Sequence, residues 1–441
     1  MIDARRTLDP DAGVVTSSHV LAPDAPERPM WTAAADLGDR RGDAGAFTLH
    51  LVGALGVSPA DALLRGAGEA VERFALRAGG PVRAATLPGL DRRLATPGPP
   101  AMTAWWPAGV TPLDTVPATD AATGRIVAVP RALVDDRPAR EPGVDVGPSG
   151  AAAGGDLEHA VRNALYEIVE RDAVQCAWSA GAVPRRTVVP DVSDAAPGRS
   201  ARRLRALLRA ADALRVEVVA ATVPTALPDR PVVLVALRAA DGVVSGLGVK
   251  LTDEPSAALL GALQEAFQLR QLLGLCRDAP AGDGPEGADA EGTELDPTGG
   301  APDPAGVAPA PIDDDVARAR WLVSDPGRAA LAGWVDAWRS TDAVTLPSAP
   351  APLSLAGALA AVVADGGRPL VCDLGDRLPA EIRAMGWHVA RVLVPGLQPL
   401  RLNERLTSTW LTDRVRSTHD RTGLTHDPAL SGAVGAPHPL V

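Results

Sequence analysis

The sequence predicts an α+β fold of α/β-like character, in which repeated units of strand, glycine loop and ExxER helix surround a central cleft. Three observations predict it. Ser149–Trp178, SGAAAGGDLEHAVRNALYEIVERDAVQCAW, opens as a glycine-rich loop at Gly150, Gly154 and Gly155 and continues with helical periodicity. Asp156 stands at the N-cap position, and apolar residues follow at Leu157, Val161, Leu165, Ile168, Val169 and Ala173. The pattern also stands 98 residues earlier, in GALGVSPADALLRGAGEAVERFA. There Gly56, Ala62, Glu69, Glu72 and Arg73 match Gly154, Ala160, Glu167, Glu170 and Arg171 without a gap (167 − 69 = 98). A weaker third echo, EPSAALLGALQEAFQLR, carries Glu265 at the same spacing, then Gln268 and, one place out of step, Arg270.

The elements follow in order. Residues 1–47 read as extended N-terminal pieces broken by Pro and Gly. The core of the domain runs over 48–277. In it Phe47–Gly56 alternates like a strand and turns through Gly53 and Gly56 into the first ExxER helix. Residues 77–148 are rich in Pro and Gly, with a strand run at Ile126–Val134 and a Trp105–Trp106 pair read as packing. From Arg185 to Val249 the pattern is strand, helix, strand. Ala201–Leu214 is its basic amphipathic helix, read as a solvated face. The third helix spans Ser256–Leu273. Asp278–Asp315 is acidic, rich in Ala, Gly and Pro, and too poor in large apolar residues to order itself; it reads as a disordered loop inside the domain. The C-terminal part of the domain, 316–430, carries helices at Ala329–Trp338, Leu353–Ala364 and Pro379–Met385. Strands are expected there at Pro369–Gly375 and His388–Pro395. Residues 431–441 form a Pro- and Gly-rich tail.

Composition narrows the function. The 441 residues carry a formal net charge of −11, which argues against nucleic acid or an anionic membrane as the main partner. No apolar run approaches the ~20 residues that span a bilayer, and MIDARRTLDP lacks the apolar core of a signal peptide. Cys176, Cys276 and Cys372 are too few and too scattered for a disulfide framework or a zinc site. Cys176 reads as a buried small hydrophobe, and a reducing cytoplasm is the expected compartment. No histidine has metal-ligand spacing; His159, at the N-terminal end of the second helix, reads as a core or surface residue.

Asn163, Glu167 and Glu170 fall at i, i+4 and i+7 and share one helix face. Two carboxylates one turn apart repel unless a cation sits between them. A lone ExxE is usually a solvated face, but repeats bring equivalent positions together. Four carboxylates converging from two helices suit a hard divalent cation; Mg²⁺ takes oxygen ligands and commonly bridges to nucleotide phosphates. No GxxxxGK[ST] loop occurs, which excludes an ordinary P-loop ATPase.

At Gly68–Arg73 (GEAVER), in the SGAAAG…ALYEIVERDA block of Ser149–Ala173 and at Gly386–Arg401 (GWHVARVLVPGLQPLR), the chain resembles the YcaO family of ATP-dependent peptide backbone-modifying enzymes. The likeness runs from about residue 8, where Leu8–Leu21 resembles the family's opening strand, to the C-terminus. It implies a nucleotide cleft holding ATP and Mg²⁺, with Glu69, Glu72, Glu167 and Glu170 as ligands of one or two Mg²⁺ bridging the phosphates. Asn163 is implied as a nucleotide or metal-shell contact, Gln268 as a nucleotide contact and Arg270 as a phosphate clamp.

The implied reaction is attack of a Cys, Ser or Thr side chain of a ribosomally made precursor peptide on the preceding carbonyl. Phosphorylation of the oxyanion and loss of phosphate then leave a thiazoline or oxazoline. Thioamide or amidine formation, a non-catalytic scaffold and a structural α/β protein are the alternatives. Pro437, His438 and Pro439 resemble a shortened form of the family's proline-rich tail, which is thought to reach the active site; His438 is either a general base there or a solvated terminal residue. The chain departs from the family in two places. Many relatives have Gly-Lys-Gly where Ala54, Leu55 and Gly56 stand here. Arg65 takes a position where relatives often carry Ser, and either replaces the missing positive charge or fills the site. The expected partners are the precursor peptide, a separate leader-peptide-binding protein (ThiF-like or similar) because no such module precedes the domain, a flavin dehydrogenase downstream, and a second copy in a homodimer.

Overall fold

Three times among the described residues a strand hands over within a few residues to a long helix packed against it. The pairs are Leu51–Gly56 with Pro59–Leu76, Ala151–Gly154 with Leu157–Ser179, and Val244–Lys250 with Pro255–Asp278. The computed structural model describes residues 2–24, 26–38, 51–77, 79–87, 112, 114–135, 144–145, 147–189, 199–278, 312, 314–346, 351–404, 406, 409–430 and 437–440. The helix starts are set locally. Ser58 Oγ accepts from Asp61 N (3.2 Å) and the Asp156 carboxylate from His159 N (2.7 Å), each satisfying an N–H with no intrahelical partner. At 58, 156 and 254, the carbonyls accept the N–H of Ala62, Ala160 and Ala258 at 3.0, 3.1 and 2.9 Å.

Each of these strands lies at the edge of its own antiparallel sheet. Leu51–Gly56 ends a three-stranded sheet with Trp31–Asp36 and Ser17–Leu21. Val244–Lys250 ends a four-stranded sheet that continues through Val232–Ala239 and Val216–Val223 to Arg185–Thr187. Ala151–Gly154 ends a six-stranded sheet that continues through His388–Leu393, Leu370–Asp373 and Thr115–Asp120 to Ile126–Pro130, with Arg83–Ala84 also on Leu370–Asp373. Close strand–helix contact requires glycine. A Cβ on Gly56 would stand 2.2 Å from Ala62 N, one on Gly154 2.7 Å from Ala160 N, and one on Gly248 2.0 Å from Ala262 O.

Several expectations shift. The supposed glycine loop at 150–155 is mostly strand: Gly150 turns at φ 85°, but Ala151–Gly154 pairs with His388–Arg391, because small side chains let tertiary pairing override local turn preference. Before the strand Ser17–Leu21, residues 4–12 are a helical turn and a 3₁₀ turn rather than extended chain. Asp3 there accepts from Arg5 N and Arg6 N, and Asp9 from Asp11 N. The run at Ile126–Val134 is strand only to Pro130, then a 3₁₀ turn. The third helix runs five residues beyond Leu273 to Asp278, and Arg199–Ala213 is the basic helix. Cys176 is buried, its thiol 3.6 Å from Asp172 Oδ1. Trp334 stacks edge-on against Trp178 at 5.0 Å and Trp338 at 4.7 Å in the largest apolar cluster. The expectations for Phe47–His50, for Trp105–Trp106, for nearly all of the acidic segment and for 431–436 lie outside the described residues. Among the described residues no helix is long and apolar enough to cross a membrane.

Candidate active site

A cleft of about 770 Å³ opens where the three edge strands meet. Its walls are Gly53–Leu55, Ala151–Ala153 and Leu247–Leu251, together with the faces of the three helices that follow. Edge strands leave N–H groups unpaired by the sheet, and the carboxylates sit on them. Leu251 N donates to Glu170 Oε2 at 2.7 Å, Val249 N to Glu265 Oε2 at 3.3 Å, and Gly150 N, just ahead of its strand, to Glu167 Oε2 at 3.0 Å.

Glu69, Glu72, Glu167 and Glu170 all line this one cleft, with Asn163, Gln268 and Arg65. Cations of the same helices hold the acids: Arg73 Nε to Glu69 Oε1 at 2.8 Å, and Arg171 to Glu167 at 3.6 Å and to Glu170 at 3.8 Å. Burial pushes the Glu72 carboxyl well up, and the negative charges of Glu69 and Glu167 push the same way. Burial lifts Glu170 to about 7, although Lys250 and Arg171 oppose the rise. Arg171 is itself pushed up, because Glu170, Glu167 and Glu265 outweigh its desolvation. Asn163 Nδ2 lies 3.2 Å from His159 Nε2, and Arg65 donates to Gln264 Oε1 at 3.0 Å.

Among the described residues no three His, Cys, Asp or Glu side chains stand together as a group that could hold a metal ion by themselves. The donor set instead fits a cation that keeps most of its shell from water and phosphate. The buried Glu170 Oε1 has no hydrogen-bond partner, and burial together with the charges of Glu69 and Glu167 disfavours the Glu72 carboxylate despite Arg73 and Arg391. Mg²⁺ held by one or two carboxylates at a time matches that arrangement.

Two assignments change. Arg270 is not in the cleft; it reaches Glu27 at 3.3 Å and lines a separate cavity of about 690 Å³. At about 100° per residue, Arg270 stands about 140° around the helix from Glu265, on the side packed against Gly246. His438 neither lines the cleft nor meets solvent. It is fully buried, its Nδ1 accepts from Leu440 N at 3.2 Å, and its Nε2 carries the proton and lies 2.7 Å from Arg401 O. Burial and the nearby Arg318 hold its pKa well down. Glu404 joins Arg318 and Arg401 at 2.7 Å each beneath it, while Arg318 Nη1 donates to His438 O at 3.2 Å. This anchor presents Pro439 and Leu440 to the cleft; Pro437 is half-buried behind them.

Sequence reading overlooked several cleft residues. His159 proves to be an exposed wall residue beside Asn163. Asp253 accepts from Tyr166 Oη at 2.6 Å and Arg230 Nε at 2.8 Å on the rim. Lys250 lies 2.9 Å from Glu265 Oε1. The sequence held a signal for it: Lys250 is the only lysine in the chain, where arginine supplies every other side-chain cation of the lysine–arginine pair.

A family model described as YcaO cyclodehydratase, ATP- and Mg²⁺-binding, matches residues 53–398. The fold is similar to a YcaO from Methanopyrus kandleri solved with AMPPCP and Mg²⁺, at TM-score 0.58 and 20% identity over 90% of this chain and 92% of that one. It is similar to a heterocyclase in complex with substrate and cofactor, at TM-score 0.61 and 18% identity over 90% of this chain and 51% of that one. It is similar as well to the E. coli microcin synthetase McbBCD complex, at TM-score 0.53 and 14% identity over 90% and 95%. No curated protein sequence matches the chain.

Proposed function

The chain belongs to the YcaO family, whose members bind ATP and Mg²⁺, and from that premise we propose that it is a cyclodehydratase acting on a ribosomally made peptide. It converts Cys, Ser or Thr of that peptide to thiazoline or oxazoline through phosphorylation of the backbone amide oxygen. The observation that carries the reading is the convergence of Glu69, Glu72, Glu167 and Glu170 on one cleft, with the buried Glu170 Oε1 accepting no hydrogen bond and meeting Arg171 Nη1 only at 3.8 Å. These four residues would hold Mg²⁺, which supplies charge neutralisation along the triphosphate. Asn163, Gln268 and Arg65 would orient the nucleotide; Arg73 and Arg171 keep the acids aimed.

Phosphoryl transfer relies on positioning and electrostatics, so the work of this chain is to bring an amide oxygen to the γ-phosphorus and exclude water. Pro439 and Leu440, held by the tail anchor, add an apolar stretch of wall that would help keep water from the reacting amide. Two of the similar structures, the substrate-bound heterocyclase and the microcin synthetase complex, support a peptide substrate and a separate partner protein that delivers it.

The test is to incubate the chain with ATP, Mg²⁺, the candidate peptide and its partner, following ADP release and peptide mass. Loss of one water per modified residue, coupled to ADP release, is expected. ADP release with a different mass change points to the thioamide or amidine branch, and absence of both overturns the enzyme reading in favour of a scaffold.

A further inference from the structure

We infer that Lys250 is a phosphate-binding residue that trades Glu265 for the nucleotide when the cleft is loaded; this rests on the nucleotide reading above. The chain uses arginine everywhere else, so a single lysine, standing at the end of the third edge strand and lining the cleft, is a choice of side chain at this position. Lysine differs from arginine as a compact point charge with three rotatable donors, suited to a phosphate oxygen rather than to a planar fork.

The surroundings fit that use. Nζ lies 2.9 Å from Glu265 Oε1, and both side chains are about a third exposed (36% and 34%). Both charged ends are thus within reach of a ligand that enters the cleft. Glu265 would remain bonded to Val249 N after the exchange. The stem is fitted to its place: a Cβ on Gly261 of the third helix would stand 2.8 Å from Lys250 Cγ and 3.2 Å from Cδ. Glycine there leaves room for the aliphatic chain to cross the helix toward the cleft.

Because the lysine is unique, selective ¹⁵N-lysine labelling should give one Nζ resonance in the full chain, and MgAMPPCP is the probe. Calorimetry of wild type with MgAMPPCP comes first: no binding there defeats the nucleotide reading itself, and this inference with it. Given binding, the Nζ signal is expected to move in step with saturation, and Lys250→Met is expected to weaken MgAMPPCP roughly tenfold or more. Gly261→Ala keeps the lysine but displaces its stem. It should weaken MgAMPPCP while leaving the thermal midpoint unchanged or raised, since alanine is the better helix former. A resonance that stays put at saturation, or wild-type affinity in Lys250→Met, overturns the inference while leaving the nucleotide cleft standing.

Discussion

Glu170 is charged in the unfolded chain from about pH 4.5, but burial holds its folded carboxyl up to about 7. Between those values the folded chain carries a proton that the unfolded chain has lost, so its contribution to stability falls as pH rises through that window. A cation requires the carboxylate. MgAMPPCP affinity is therefore expected to climb between about pH 6 and pH 8, and Glu170→Gln should flatten the climb; a flat wild-type profile by calorimetry counts against Glu170 as a ligand. The tail anchor makes the opposite kind of prediction. Arg318, Arg401 and Glu404 have side chains 0%, 2% and 7% exposed. Glu404→Gln strands two buried guanidinium groups and should cost about 3–5 kcal/mol in urea denaturation. A change below about 1 kcal/mol means the network is looser than these contacts imply. The adjacent His438 was visible in the sequence only as a residue near the end; its burial depends on carbonyls and arginines brought from 318 and 401–404.

The strand-to-helix handover is decided at the scale of elements. Gly154 cannot carry a side chain without striking Ala160 N at 2.7 Å, a backbone atom that has nowhere to go. Gly154→Ala should cost about 1–3 kcal/mol. Gly53, in the matching strand of the first unit, has nothing within 4 Å of a built Cβ, so Gly53→Ala should be neutral or mildly stabilising by thermal denaturation. Equal losses from the two changes would mean that strand entropy, not the helix contact, sets the requirement. The start of the second helix was legible because Asp156 acts within three residues of itself; Ser58 does the same for the first helix. The short strand Ala151–Gly154 was not legible, since four small residues carry no period and become a strand only through pairing with His388–Arg391.

For the whole molecule, the cleft is a junction of three sheet edges, and a ligand bound there ties the three units together. MgAMPPCP at about 100 times its dissociation constant should add about 2.7 kcal/mol to stability, seen as a rise in thermal midpoint. Glu69→Gln and Glu167→Gln should lose that rise and keep the ligand-free midpoint near wild type; a retained rise in both would remove these acids from the site. By itself the sequence determined the α+β class and the three helices, and it singled out the acids at 69, 72, 167 and 170 that line the cleft, because periodicity and a fixed repeat spacing are properties of neighbouring residues. Only the tertiary structure decided which side of the third helix faces the cleft, sending Arg270 away to Glu27, and that the strand before it ends with Lys250 on the cleft wall. It also turned His438 inward, since orientation between distant segments is fixed by packing and by where buried charges find partners, and no local pattern records either.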